Sequence, residues 1–136
     1  MKFLFDNCLP PNIARALSEL DPNHRIEHLR DRFPQDIEDP EWIRQLADEG
    51  DWVIVSADTR IPKNPQNRQA WRQSGLTGFF FLKAWTNHPF WEQAWRAVRW
   101  WPDITRTADT VQPGVGFWVP VNYGGKGGKL KPIPNS

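Results

Sequence analysis

Short, uniformly apolar runs separated by longer amphipathic stretches are the feature that most constrains how this chain folds. The clearest runs are residues 3–5, 52–55 and 79–82. A run of this length without polar alternation is typical of a strand that is buried on both faces of a sheet. Because the stretches between the runs have helical periodicity, the pattern predicts an α/β sandwich with a largely parallel sheet.

Prolines mark where helices are expected to begin and end. Pro40 is predicted as a first helical residue, because its fixed φ suits that position, with Asp39 before it as the N-cap. A later helix is predicted to open at Pro89 and to end near residue 101. Pro102 sets that end, because a proline inside a helix removes a hydrogen bond and crowds the preceding turn.

The helix predicted after Pro89 carries several of the nine tryptophans of the chain. One arc of this helix is apolar and is predicted to face the core: Phe90, Trp91, Ala94, Trp95, Val98 and Trp101. Trp100 falls on the opposite, polar arc, where an exposed tryptophan would contact a partner or a second copy in a homodimer. The alternative is burial under the segment around Phe117 and Trp118.

The C-terminal part is predicted to add little to the fold. Residues 115–121 are interpreted as a late edge strand, because Pro120 cannot donate a hydrogen bond to a neighbour. Residues 124–136 contain four Gly, three Lys and two Pro, a composition that predicts a flexible tail. The expected organisation is one domain over residues 1–123, followed by a tail over residues 124–136.

Length and composition exclude several classes of protein. A chain of 136 residues fits one domain that folds without disulfides. The single cysteine, Cys8, has no intramolecular partner and no evident base, and it is interpreted as a buried structural thiol. This cysteine usage favours a cytoplasmic location. No apolar stretch approaches the roughly 18 residues of a membrane span, and the first run is too short for a signal peptide.

The net charge of +1 conceals two oppositely charged halves. Residues 1–60 carry 7 Lys and Arg against 13 Asp and Glu, whereas residues 61–136 carry 10 against 3. An acidic half beside a basic half fits a metal centre next to a track for a polyanion. The alternative is that the two halves attract each other, or the matching surface of a second copy.

Carboxylates follow two of the predicted strands. Asp6 comes directly after the first run and Asp58 shortly after the run at residues 52–55, while Asp39 opens a helix. The carboxyl ends of parallel strands line one crevice, where ligands bind. Two carboxylates about 5 Å apart repel by about 3 kcal/mol at an effective dielectric of about 20. A shared divalent cation such as Mg²⁺ would offset this cost, although each acid alone could equally cap a helix or close a turn.

At these residues the chain resembles the PIN-like nucleases, and in particular their small VapC-like toxin group. Residues 3–10 are similar to that group's start of strand, Asp, turn and helix. Residues 39–43 are similar to its Asp-x-x-Trp-Ile helix start, and residues 52–61 to its strand ending in (Ser/Thr)-x-Asp. The similarity extends over residues 1–101. One departure is Asn7, which stands where relatives often carry Glu.

The resemblance implies a PIN-like three-layer sandwich, in which helices flank a mostly parallel central sheet, and cleavage of RNA that depends on Mg²⁺ or Mn²⁺. It also implies a toxin whose partners are RNA and a cognate antitoxin protein. Carried over by position, Asp6, Asp39 and Asp58 would be the catalytic acids that hold the metal. Ser56 would support Asp58 or its bound water on the substrate side. The acids that could supply a fourth ligand are Asp36, Glu38 and Glu41.

Basic residues follow the last of these acids closely and are predicted to bind the substrate. Arg60 is expected to neutralise the scissile phosphate through the planar fork of donors on its guanidinium group, with Lys63 as a second candidate. Residues 64–74 are predicted to form a helix, on which Arg68 and Arg72 share a face and could hold phosphates. The alternative for this pair is a solvated helix face.

The placement of the acids and the resemblance together imply a single-domain, metal-dependent endoribonuclease in which an activated water would attack the phosphodiester in line. Two other classes stay open. A phosphotransfer domain also gathers acids around Mg²⁺ at strand ends, but its dehalogenase-like version needs a second Asp where this chain has Cys8. A degenerate PIN-like module that binds a partner without catalysis would keep the fold and lose metal binding.

Overall fold

A computed structural model describes residues 1–134 and shows a six-stranded sheet between two layers of helices. The strands are β1 (Lys2–Phe5), β2 (Arg25–His28), β3 (Trp52–Ser56), β4 (Gly78–Phe81), β5 (Gly116–Val119) and β6 (Lys131–Ile133). The helices are α1 (Pro11–Leu20), α2 (Asp39–Glu49), α3 (Arg60–Lys63), α4 (Pro65–Ser74) and α5 (Phe90–Thr110). Short 3₁₀ turns lie at Leu29–Asp31 and Lys83–Asn87.

The strand order is β2-β1-β3-β4-β5-β6. All neighbouring pairs are parallel except β5 with β6, which are antiparallel. The predicted α/β sandwich with a mostly parallel sheet is therefore confirmed. The register pairs Phe5 with Val55, so β1 and β3 end side by side near the middle of the sheet. The residues that follow β1 and β3 therefore lie close together at the same edge of the sheet.

Each face of the sheet has its own hydrophobic core, because successive strand side chains point to opposite faces. Phe3 and Phe5 of β1 pack with α1 and α5, whereas Leu4 packs with α2, α3 and α4 on the other face. The strands β1, β3 and β4 are buried on both faces, which explains why their sequences lack polar alternation. No helix within residues 1–134 is both long and apolar enough to cross a membrane.

The helix α5 is longer than predicted. It continues to Thr110 and contains Pro102 in its interior, so the prediction of an end near residue 101 was wrong. Pro102 is exposed, where a missing hydrogen bond costs less than it would in a core. The buried side chains on either side of it, Trp101 and Ile104, hold the helix against the sheet.

The buried face of α5 is also different from the predicted arc. Trp100 is 1% exposed and stacks on Tyr123 with ring centroids 4.7 Å apart, so the predicted exposed contact was wrong. Conversely, Trp91 and Trp95 are 79% and 53% exposed, although both were predicted to face the core. Trp101, from the same arc, is buried as predicted. The C-terminal segment that carries Tyr123 covers the side of the helix that the sequence pattern assigned to solvent.

The C-terminal segment contributes two strands to the sheet. β5 lies between β4 and β6, so its predicted place at the edge was wrong. Lys131–Ile133, within the predicted tail, form β6, and Arg68 and Arg72 both donate hydrogen bonds to the carbonyl of Pro134. This part of the predicted flexible tail therefore belongs to the sheet. Residues 135–136 of the predicted tail lie outside the described residues.

One tryptophan of α4 fits over a pair of glycines. Gly78 of β4 pairs with Gly116 of β5, and the fully buried ring of Trp71 lies against them. A Cβ atom added to Gly116 would come within 2.3 Å of the Trp71 ring, and one added to Gly78 would come within 2.6 Å of the Phe80 ring. The missing side chains thus give the indole its space, and its Nε1 donates to the carbonyl of Leu76 at 2.8 Å.

Candidate metal centre

The paired ends of β1 and β3 bring two predicted site residues together. Asp6 directly follows β1, and its backbone N–H extends the parallel ladder by donating to the carbonyl of Val55 at 3.0 Å. Asp58 follows β3 after one intervening residue. Both residues are buried, with 3% and 7% of their surface exposed. The sequence-based expectation that these two acids converge at the carboxyl edge of the sheet is met.

Ser56, the last residue of β3, connects the two acids. Its hydroxyl group donates to Oδ2 of Asp6 at 2.5 Å and accepts a hydrogen bond from the backbone N–H of Asp58 at 2.9 Å. The serine is completely buried. These contacts leave no spare hydroxyl proton for a substrate, and the predicted support of Asp58 or its bound water stays a prediction.

A third side chain of a type that can bind metal ions, Cys8, lies with these acids. One ligand atom from each of Asp6, Cys8 and Asp58 lies within 4.8 Å of the other two. The prediction of a buried structural thiol was wrong, because Cys8 is exposed at the rim of the site. Sequence reasoning missed this residue as a candidate ligand, although its position two residues after a strand-end aspartate was a usable signal.

The turn that carries Cys8 is anchored on both sides. The N–H of Leu9 donates to the carbonyl of Asp6 at 3.0 Å, and Nε2 of His28 hydrogen-bonds to the carbonyl of Leu9 at 2.7 Å. His28 itself is 1% exposed at the end of β2. Burial lowers the pKa of its imidazole, which favours the neutral ring that donates to a carbonyl.

Asp39 is held to one side of this cluster. The group of ligand atoms within 4.8 Å of one another does not include it among the described residues. Its Oδ1 accepts from Nε1 of Trp42 at 2.9 Å and its Oδ2 accepts from Nδ2 of Asn67 at 3.3 Å. Asp39 is the first residue of α2 and makes no capping hydrogen bond, so its predicted role as N-cap was wrong; Glu38 occupies that position.

Burial and mutual repulsion shape the titration of the acids. Burial, with smaller contributions from Asp39 and Asp58, raises the pKa of Asp6 to about 6, although the hydrogen bond from Ser56 opposes the shift. Burial and the charge of Asp58 likewise raise the pKa of Asp39. Burial and the neighbouring carboxylates raise the pKa of Cys8 to about 12. Burial first, and the neighbouring carboxylates second, therefore favour the neutral forms of these three side chains in the metal-free protein.

Arg60 is the cation nearest to Asp58. Its Nε and terminal nitrogen donate to the two carboxylate oxygens of Asp58 at 2.9 and 2.8 Å, and its backbone N–H donates at 3.0 Å. Burial alone would raise the pKa of Asp58, but these bonds outweigh it and the pKa is lowered. The Arg60 side chain is 74% exposed. The short helix α3, which starts at this residue, was absent from the sequence-based prediction.

The other predicted substrate-binding residues have contacts within the fold. Nζ of Lys63 lies 5.5 Å from the centroid of the Trp118 ring. Arg68 donates to the carbonyls of Pro62 and Pro134, and Arg72 donates to those of Gly114 and Pro134. The two arginines thus share a face of α4, as predicted, and this face holds the C-terminal segment. Their binding of phosphates stays a prediction.

The donors of the cluster fit a divalent cation. Carboxylate oxygens and a thiolate are established ligands of such ions. In addition, the buried Oδ1 of Asn7, next to Asp6, has no hydrogen-bond partner among residues 1–134, and a buried oxygen without a donor carries a cost that a cation or water removes. The three acids considered as a fourth ligand are exposed and outside the cluster: Asp36, Glu38 and Glu41.

Comparison with protein-family models identifies the family of the chain. The model described as a PIN-like domain matches residues 1–83, which is more than half of the sequence. The chain belongs to the PIN-like domain family. The matched range contains every residue of the cluster, so the candidate centre lies inside the PIN-like domain. Comparisons with curated proteins and with solved structures gave no match.

Proposed function

We propose that this PIN-like domain is a metal-dependent endoribonuclease that hydrolyses RNA phosphodiesters. The observation that carries the proposal is the convergence of two buried carboxylates, Asp6 and Asp58, at the carboxyl edge of adjacent parallel strands. Packing like charges together opposes folding, whereas a divalent cation between them removes the repulsion. PIN-like domains are often nucleases, which agrees with a centre of this kind.

The two acids would hold the ion, and Mg²⁺ or Mn²⁺ are the ions that the family resemblance implies. When bound, the ion supplies a lower pKa for a coordinated water and electrophilic assistance at a phosphate oxygen. Ser56 keeps the carboxylate of Asp6 in one orientation through their hydrogen bond. Asp39, which influences the charge of Asp6 and Asp58 without joining their cluster, would act as an outer acid that orients water.

Arg60 would change partners when the substrate binds. In the structure its guanidinium group is shared by both oxygens of Asp58. Because the side chain is largely exposed, it can turn toward a phosphate without disturbing the core. A planar fork of donors suits a phosphate as well as a carboxylate. Lys63, one helical turn later in α3, would extend this positive surface along the RNA.

The test is cleavage of a single-stranded RNA by the purified protein with Mg²⁺ or Mn²⁺. Asp6→Asn and Asp58→Asn are expected to lower the rate by at least about 100-fold, as losses of catalytic groups do. Asp48→Asn, on the exposed face of α2, is the matched control and is expected to keep the wild-type rate. Full metal-dependent cleavage by Asp6→Asn would overturn the proposal.

The biological role that we propose is that of a toxin held inactive by an antitoxin protein. Controlled expression in bacterial cells is expected to arrest growth and degrade RNA, and Asp58→Ala is expected to relieve both effects. Co-expression of a small protein encoded beside this chain is expected to restore growth. Growth arrest that persists with Asp58→Ala would separate toxicity from the centre and count against this role.

A second candidate function is a PIN-like binding module without catalysis. The observation that favours it is the pairing of Arg60 with both oxygens of Asp58, since an internal cation already compensates that acid. Calorimetric titration with Mn²⁺ distinguishes the two functions. Binding that is lost in Asp6→Asn supports the nuclease, whereas no binding to the wild-type protein supports the module.

A further inference from the structure

The sulfur of Cys8 lies close to both buried acids of the candidate centre. Its Sγ and one carboxylate oxygen from each of Asp6 and Asp58 lie within 4.8 Å of one another. Two donors of one ion lie at most about 4.4 Å apart, because metal–oxygen and metal–sulfur bonds are about 2.1 and 2.3 Å long. The three atoms can therefore share an ion once their side chains move closer together.

The backbone around Cys8 leaves the thiol little choice of position. The turn is bonded to Asp6 through the Leu9 N–H and to the end of β2 through His28. Leu9, the next residue, is 2% exposed and forms part of the core. Cys8 is thus fixed beside the two acids while its own side chain stays open to solvent, which gives an ion a route of entry.

A donor set of two carboxylates and one thiolate is poorly matched to Mg²⁺. That ion takes oxygen ligands almost exclusively and keeps most of its waters. Thiolates instead favour divalent transition ions, whose affinity for mixed oxygen and sulfur sites rises from Mn²⁺ through Fe²⁺ to Co²⁺. The chemistry of this cluster consequently distinguishes it from a centre built from acids alone.

We propose that Cys8 is the third protein ligand of the centre and that it makes the centre select Co²⁺, Fe²⁺ or Zn²⁺ over Mg²⁺. The inference rests on the metal site of the proposed nuclease and specifies which class of ion that site takes. On binding, the S–H bond is replaced by an S–metal bond and the proton passes to solvent. Cys8 is the solvent-exposed member of the cluster, whereas Asp6 and Asp58 are buried.

Titration of the purified protein with Co²⁺ tests this assignment by absorption spectroscopy. A cobalt–thiolate bond produces a charge-transfer band in the near ultraviolet, and Cys8 is the single cysteine of the chain, so the band has one source. The wild-type protein is expected to show the band at one equivalent of Co²⁺. Cys8→Ser is expected to lack it, and Asp6→Asn is expected to weaken it, because both acids share the ion.

Affinity supplies the second measurement. Cys8→Ser is expected to lower the affinity for Co²⁺ by at least about tenfold, since removing even a residue that only hydrogen-bonds to a metal ligand has an effect of that size. Its affinity for Mg²⁺ is expected to change by no more than about twofold, because serine keeps an oxygen at the position. Circular dichroism of this variant checks that it is folded, which the exposed position of Cys8 favours.

The outcomes separate the ligand assignment from the nuclease proposal. Saturation with Co²⁺ without a charge-transfer band, or a band that Asp6→Asn leaves unchanged, would overturn the assignment. Cleavage of RNA with Mg²⁺ under those same results would leave the nuclease standing. Conversely, a band that disappears in Cys8→Ser, in a protein that cleaves no RNA with any of these ions, would support the ligand and remove the nuclease.

Discussion

Ser56 links two acids that are far apart in the sequence. Its hydroxyl donates to Asp6, fifty residues away, and accepts from the N–H of Asp58. A serine has one hydroxyl proton, and donating it to Asp6 while the oxygen accepts from Asp58 fixes the orientation of the hydroxyl group. The geometry of the candidate centre in the absence of any cation therefore depends on this small, completely buried side chain.

Removal of this link is expected to destabilise the fold. Ser56→Ala leaves buried Asp6 without its donor and the Asp58 N–H without its acceptor, so the free energy of unfolding is expected to fall by about 1–3 kcal/mol. Chemical denaturation measures the change. Ser18→Ala, at an exposed position of α1, is the control and is expected to stay within about 0.5 kcal/mol of wild type. Equal stabilities of the two variants would contradict this role.

Asp6 is expected to make stability depend on pH in the metal-free protein. Its pKa rises from 3.8 to about 6 on folding, so the folded state keeps a proton that the unfolded state loses. The contribution of Asp6 to the free energy of unfolding is fully present below about pH 3.8 and is lost as the pH rises through about 6. The shift of its pKa corresponds to a change of roughly 3 kcal/mol. Asp6→Asn is expected to lack this slope when unfolding is followed between pH 4 and 7; a wild-type slope in the variant would assign it to other groups.

Individual site residues differed in how far the sequence could predict them. Asp6 and Asp58 were predictable because each follows a buried strand, and the ends of adjacent parallel strands coincide. Asp39 was misassigned as an N-cap because a helix start suits that role; its actual partners are side chains from α2 and α4. Cys8 was missed because the direction of its thiol depends on bonds that the turn makes to β2.

Among the elements, α5 shows where periodicity fails. The spacing predicts one apolar arc and places Trp100 on the polar side, whereas the helix buries Trp100 and exposes part of that arc. Trp100 is covered by Tyr123, which stacks on it from a segment that has no regular structure of its own. A residue outside the helix, rather than the pattern inside it, therefore selects which tryptophans are buried.

Two tryptophans of α5 provide a matched test of this orientation. Trp100→Ala is expected to cost about 3–5 kcal/mol of unfolding free energy, because it leaves a cavity under Tyr123. Trp91→Ala, at a position that is 79% exposed, is expected to stay within about 0.5 kcal/mol of wild type. Thermal and chemical unfolding of the two variants give the comparison. A larger loss from Trp91→Ala would restore the face that the sequence pattern predicted.

The attachment of β6 is expected to depend on Arg72. This arginine donates to the carbonyls of Gly114 and Pro134, which flank β5 and β6. Arg72→Ala is expected to speed hydrogen exchange of the amides of β6 by about fivefold, since losing a hydrogen bond costs about 1 kcal/mol. The amides of β3 are expected to keep their protection. Arg44→Ala, on the exposed face of α2, serves as the control, and unchanged exchange in β6 would contradict the role of Arg72.

At the scale of the whole molecule, the sheet extends beyond the part that the family model matches. The match ends at residue 83, just after β4, whereas α5, β5 and β6 follow it. These elements supply Trp101, Ile104, Phe117 and Val119 to the core that covers one face of the sheet. The complete fold therefore needs both parts of the chain, although the candidate centre lies within the first.

Truncation after residue 83 is expected to abolish cooperative folding. The fragment would lose the helix that covers β1, β3 and β4 on one face and would expose their apolar side chains to water. Thermal unfolding monitored by circular dichroism is expected to show no transition. The full-length protein is the control and is expected to show one cooperative transition. A sharp transition in the shorter fragment would show that the first part folds independently.

The sequence predicted the general architecture better than it predicted the C-terminal end. Continuous apolar runs at β1, β3 and β4 have few interpretations other than buried parallel strands. β6, by contrast, has only three residues and includes Pro132, so no periodicity marks it. It forms because β5 offers an open edge and because the arginines of α4 bind the carbonyl that follows.

The packing of Trp71 over Gly78 and Gly116 limits how related proteins can diverge. An alanine at either glycine would overlap an aromatic ring. A substitution of Gly116 therefore requires a smaller residue at position 71, and a substitution of Gly78 requires a rotated ring at Phe80. Homologues that retain the indole are expected to retain Gly116, whereas Gly78 is expected to follow the ring at position 80. Positions 71 and 116 are thus expected to evolve together, even though helix α4 and strand β5 are more than forty residues apart.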